Sequence, residues 1–169
     1  MEVNVKLNIT PEEFFDAIAE AIAYDIQQAT GKNVRAKNIK RGMSYTKKVN
    51  KRQSYQVAIT EYEYPKCYSS RIDSVNGSTF MSYVVEPFEE GIGVSYKEDL
   101  IKPNGKSGDS GFSALFAKTA GIRRTKKRLV SIQDYVLKQR EEAAKQAETA
   151  NDEGQEETET KDSSEGACS

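Results

Sequence analysis

Val3, Val5, Leu7 and Ile9 alternate with Asn4, Lys6 and Asn8, the period-two spacing of a strand with one buried face. This predicts a first strand over about Glu2 to Ile9. Thr10-Pro11-Glu12-Glu13 follows and reads as a helix start. Thr10 is the N-cap, Pro11 stands where a missing N–H costs nothing, and Glu13 closes a capping box. Phe14, Phe15, Ile18, Ile22, Ile26 and Ala29 then recur at three- and four-residue spacing before Gly31, so one amphipathic helix is predicted from Pro11 to Thr30 with a left-handed stop.

From Asn33 to Leu100 the pattern changes. Aromatic and β-branched residues alternate in short runs, divided at Asn50-Lys51, Tyr64-Pro65-Lys66, Asn76-Gly77 and Glu89-Glu90-Gly91, where turn chemistry outweighs strand propensity. Strands are predicted near Asn38–Val49, Gln53–Glu63, Lys66–Val75, Ser78–Pro87 and Ile92–Leu100, with Asn76-Gly77 as the strongest hairpin signal. After the Gly- and Ser-rich stretch Lys102 to Gly111, the text from Phe112 to about Ala147 lacks Pro. Its apolar stripe, Leu115, Phe116, Ile122, Leu129, Ile132 and Val136, predicts a long helix, with Gly121 as a candidate kink.

Charge sharpens the domain picture. The 169-residue chain carries 25 Lys and Arg against 26 Asp and Glu, yet up to Lys145 there are 24 basic and 18 acidic residues, whereas 146–169 holds eight acidic residues and only Lys161. All 15 aromatic residues fall at or before Tyr135. A segment so poor in apolar material does not repay its ordering entropy, so residues 1–145 are read as the folded domain and 146–169 as a disordered acidic tail. The tail either solubilises the domain or folds back over the basic helix before it.

Composition also removes chemistries. With no His and no Trp, His-based triads, His-ligated metals and the usual general base near neutral pH are unavailable. No run approaches the roughly 18 to 20 apolar residues that span a bilayer, and the polar start lacks a signal-peptide core. Cys67 and Cys168 make neither a disulfide framework nor a metal half-site, which suits a reducing, cytoplasmic setting. Gly105-Lys106-Ser107 lies between strand and helix patterns, but Leu100 stands where a phosphate loop needs its first glycine. No cofactor or metal is expected.

The order strand, capped helix, antiparallel meander and long C-terminal helix resembles the START-like (SRPBCC) helix-grip superfamily. Thr10 to Ile18 is similar to its helix entry. Ile59 to Arg71 is similar to its strand, proline turn, strand hairpin. Phe80 to Pro87, with Gly91 and Val94-Ser95-Tyr96, is similar to its Y-x-L-E-P and G-x-x-V-x-Y hairpin. The match covers roughly residues 2 to 140 and extends to small START-like proteins of Firmicutes and their phages. It implies an α+β helix-grip fold, in which a curved antiparallel sheet of about six strands wraps a long C-terminal helix. It also implies a cavity for a hydrophobic or amphipathic ligand, and in some members lipid transfer or polyketide cyclisation. Cyclases and hydrolases of the superfamily use polar cavity groups, often His, and the lack of His shifts the expectation from enzyme to binder.

Two constellations remain. Alternation puts Met43 with Tyr45, Tyr55 with Val57, Tyr68 with Ser70, and Met81 with Tyr83 on shared strand faces. With Phe116 of the helix, these residues are the candidate ligand lining, since Tyr offers an apolar ring and one orienting hydroxyl. The competing reading is plain packing of sheet against helix. Arg123, Arg124, Lys126, Lys127 and Arg128 have the density of phosphate contacts but no interleaved aromatic. They read either as a nucleic-acid or protein contact or as a solvated helix face. The sequence therefore points to a binding protein for a small apolar or amphipathic molecule. A protein acting through its basic helix is the alternative, and a cyclase-type enzyme comes third.

Overall fold

The computed structural model describes residues 1–50, 53–103 and 112–159, with side chains except those of 49, 112–118 and 148–159. Strand β1 (Glu2–Leu7) leads into helix α1 (Pro11–Thr30). Strands β2 (Ser44–Asn50), β3 (Gln53–Glu63), β4 (Cys67–Ser74), β5 (Gly77–Phe88) and β6 (Gly91–Ile101) follow, and helix α2 (Phe112–Glu159) comes last. The strands form one antiparallel sheet in the order β1-β6-β5-β4-β3-β2. The chain thus meanders from β2 to β6 and closes on β1, pairing Val3 with Tyr96 and Leu7 with Ile92.

Helix α1 begins as its sequence dictates. Thr10 Oγ1 accepts from the Glu13 N–H at 3.2 Å and Glu13 Oε2 accepts from the Thr10 N–H at 2.8 Å, while Gly31 ends the helix at φ 71°. Its buried stripe of Phe14, Phe15, Ile18, Ala19, Ile22 and Ile26 packs with β1 and the inner face of the sheet into one core. Burying each large apolar side chain contributes roughly 1.5–3 kcal/mol. Helix α2 adds Leu129 and Val136 to the core and is tied to the β1–α1 junction by Gln133, whose Oε1 accepts from the Asn8 N–H at 2.7 Å.

Several expectations need correction. The strand predicted from Asn38 starts only at Ser44, because Ala36–Asn38 forms a short 3-10 turn. Gly42 then turns the chain at φ 87° and Ile39 is buried. Asn76-Gly77 is not the centre of the hairpin. Ser74 pairs with Gly77, so Val75 and Asn76 form the loop and Gly77 opens β5. A Cβ on Gly77 would stand 2.2 Å from the Ile101 carbonyl oxygen at φ +125°, so close backbone approach selects glycine there. Gly121 does not break α2; a Cβ there would meet Met1 Sδ at 3.1 Å, so its smallness makes room for Met1. The helix also continues past Ala147 to Glu159, since Glu141 to Ala150 holds good helix formers and no breaker. Residues 160–169 of the expected tail, and the stretch holding Gly105-Lys106-Ser107, lie outside the described residues.

Candidate functional site

The inner face of the sheet, turned towards the helices, is organised in rows by strand register. One row is aromatic: Tyr62 pairs with Tyr68, Tyr68 with Tyr83, and Tyr83 with Tyr96. The ring centroids are 6.4, 6.1 and 5.0 Å apart in turn. From α1, Phe14 meets Tyr83 edge-on at 6.0 Å and Phe15 meets Tyr62 at 6.2 Å, geometries that the ring quadrupole favours. The next row runs Ile59, Ser70, Met81, Glu98, with Met43 at its β2 end, where its carbonyl accepts from the Ile59 N–H at 2.8 Å. The third runs Tyr45, Val57, Ile72, Thr79, Leu100.

The structure therefore brings Met43, Tyr45, Val57, Tyr68, Ser70, Met81 and Tyr83 onto one surface. Tyr55 lies one row further out, opposite Lys47, and half-buried. The Phe116 side chain lies outside the described residues. Strict alternation from Val57 and Ile59 turns Tyr62 away from this surface. A β-bulge returns it: Ile59 pairs with Ser70 and Glu61 with Ser69, leaving one extra residue on β3 and reversing the phase beyond it.

Polar groups on this surface are unevenly satisfied. Ser70 is 1% exposed, and its Oγ, between Ile59 and Met81 in its row, has no close hydrogen-bond partner among the described residues, though it lies near enough to the Tyr68 phenol to work against the larger upward effect of burial there. Such a hydroxyl costs about 1–3 kcal/mol until something bonds to it. Tyr83 is 6% exposed; burial pushes its phenol up to about 12, with the Arg128 charge working in the opposite direction. Tyr96 donates to the Glu98 carboxylate, and burial and that carboxylate together hold its phenol far above the usual range. At the β2 edge the Tyr45 hydroxyl donates to Asp25 Oδ2 of α1 at 2.7 Å, and Lys47 donates to Asp25 Oδ1. Burial, then Asp25, raises the Tyr45 phenol in the same way. The surface is thus an apolar wall with neutral phenols at physiological pH, and its two carboxylates already accept from tyrosines. Sequence reasoning passed over Asp25 and Glu98; alternation put Tyr96 on a shared face with Val94 but left it out of the candidate lining.

Outside this surface, Arg123, Arg124, Lys126, Lys127 and Arg128 are all exposed, whereas Thr125 and Leu129 on the same stretch are buried. Cys67 is half-buried, and burial first and Glu61 second push its thiol up, away from the thiolate a nucleophile needs. No described helix is long and apolar enough to cross a membrane.

This architecture, a six-stranded antiparallel sheet with one helix after its first strand and a long helix at its end, is the helix-grip fold. Solved structures share it. Ara h 8.0201 is 10% identical over 82% of this chain and 97% of its own, with TM-score 0.55. The protein MLL2253 from Mesorhizobium loti is 12% identical over 82% and 96%, with TM-score 0.54. The Aha1 dimer from Colwellia psychrerythraea is 14% identical over 80% and 96%, with TM-score 0.51. At such identities the likeness extends to the fold alone. In sequence the chain belongs to the family described as a domain of unknown function (DUF3284), whose model matches residues 1–108. No curated protein matches it.

Proposed function

We propose that this protein binds a small apolar or amphipathic molecule between the inner face of its sheet and α2, without transforming it. The observation that carries this reading is the buried Ser70 hydroxyl, without a close partner among the described residues, in a wall of Tyr, Met and aliphatic side chains. A ligand offering one polar atom would satisfy that hydroxyl while its apolar part covers the wall. Catalysis finds less support, because the chain has no His, the Cys67 thiol is pushed up, and Asp25 and Glu98 are engaged by tyrosines. The same proposal takes residues 1–145 as the functional body, 146–169 as an accessory acidic tail, and the cytoplasm as its setting. It also takes in the resemblance to small START-like proteins of Firmicutes and their phages.

Native mass spectrometry of the full chain with a long-chain fatty acid, a fatty alcohol and a polycyclic aromatic tests the reading. At least one forms a stoichiometric adduct, and Ser70→Leu, which replaces the hydroxyl with a larger apolar group, weakens it about tenfold while circular dichroism stays unchanged. Absence of any adduct, or equal binding by Ser70→Leu, contradicts the reading. The exposure of the basic side chains Arg123, Arg124, Lys126, Lys127 and Arg128 favours a second reading, in which this stretch of α2 is a contact surface for another macromolecule.

A further inference from the structure

Helices α1 and α2 lie side by side and antiparallel, as their cross-contacts show. Arg140 of α2 donates to Glu13 at 2.6 Å through Nε, Tyr135 donates to Glu20 at 3.1 Å, and Arg128 shares a groove with Tyr24. Together the two helices present one face with three zones. At one end stand Glu12, Asp16 and Glu20, with Glu13 already neutralised by Arg140. At the other stand Arg124 and Arg128, both exposed. Between them runs a groove of about 420 Å³ whose apolar lining includes Ala17, Ala21, Tyr24, Ile132 and Tyr135. Tyr24 is 64% exposed and Tyr135 46% exposed, so the groove presents two aromatic rings to the outside. Arg128 and Glu20 line the same groove, yet neither is ion-paired among the described residues.

A face that is acidic at one end, basic at the other and apolar between is complementary to itself. A two-fold axis lying in the face and running diagonally across the groove between the helices sets the acidic stretch of α1 in one copy over the basic stretch of α2 in the other, and sets the two apolar centres together. We propose that this α1/α2 face is the interface of a homodimer, with Arg124 and Arg128 of each copy opposite Asp16 and Glu20 of the other. The inference rests on the second reading above, that the basic stretch of α2 is a contact surface, and identifies its partner as a second copy of this chain. At 1.5 Å per residue, α1 is about 30 Å long; two helices abreast give at most roughly 600 Å² per copy, no more than the lower bound for specific interfaces. The dimer is therefore weak, and because charge sets its register it is sensitive to salt.

Sedimentation velocity of the full chain over a concentration series tests this. Dimer forms at about 50 mM salt and its Kd rises about tenfold or more at about 500 mM. Arg128→Glu raises Kd about tenfold at low salt, Glu20→Lys does the same, and the double variant regains the dimer because the charges are exchanged across the axis. Tyr24→Ser, at a site too exposed to unfold the domain, also weakens it. A chain that stays monomeric at low salt, or a dimer indifferent to both single reversals or not regained in the double variant, overturns the proposal. A 20-base-pair duplex added to the same samples separates the two levels. A monomer that binds the duplex refutes the homodimer and keeps the contact surface, whereas a monomer that binds nothing refutes both.

Discussion

Tyr83 shows at the scale of one residue what the inner wall is made of. Its ring packs among Phe14, Tyr68 and Tyr96, and its phenol stays protonated up to about 12 because burial penalises the charged form. In the unfolded chain the same phenol ionises near 10. A folded value above the unfolded one gives stability that is fully present below about pH 10 and is lost as pH rises from there through about 12. Urea unfolding between pH 9 and pH 12 should show that decline, and Tyr83→Phe should flatten it; an unchanged slope in the variant contradicts the assignment. Single residues were unevenly legible. Period-two alternation was enough to put Ser70 with Tyr68, and Met81 with Tyr83, because their strands pair without interruption. It could not find Tyr62, whose side is reversed by a bulge decided by the pairing of β3 with β4 and not by β3 alone. Asp25 was invisible for a related reason. A carboxylate on an amphipathic helix reads as solvated until the edge strand brings Tyr45 and Lys47 against it.

Among the elements, α1 was the most legible because both its ends are written in local chemistry. Its N-terminal cap does more than start the helix, since Glu13 closes the capping box and also accepts from Arg140 of α2. The Arg140 guanidinium is the main cause that lowers the Glu13 carboxyl below the usual range; burial works the other way, and the Thr10 hydrogen bonds add to the lowering. A folded value below the unfolded one gives stability that is present above about pH 4.3 and is lost as pH falls through the lower, folded value. Glu13→Gln should cost about 1 kcal/mol at pH 7 and leave a shallower loss of stability between pH 5 and pH 3, read from urea midpoints. An acid limb as steep as that of the parent would show that the Arg140 contact contributes nothing. The beginning of β2 was the least legible element. In Asn38 to Met43 the apolar Ile39 and Met43 stand at strand spacing and extend the predicted strand, whereas the short 3-10 turn, the burial of Ile39 and the turn at Gly42 delay its start to Ser44.

The whole molecule reconciles a balanced charge with strongly unlike parts. The near-neutral total conceals a basic body and an acidic end, and within the body the α1/α2 face again separates the two signs. The fold was legible because each level of the sequence agreed with the next: strand period, helix cap, turn residues and helix stripe all specify the same topology. The candidate site was less legible, because its residues are ordinary wall-forming types that stand out only through the row they share. The three methionines at positions 1, 43 and 81 offer a direct test of the ligand reading, since Met43 and Met81 stand in the same row as Ser70, while Met1 packs beside Gly121. Methyl NMR of methionine-labelled full chain, titrated with the fatty acid, fatty alcohol and aromatic series, should move the Met43 and Met81 resonances together and saturably for at least one compound, and Ser70→Leu should suppress the shift. Resonances of Met43 and Met81 that stay fixed through every titration would contradict a ligand site on the inner face of the sheet.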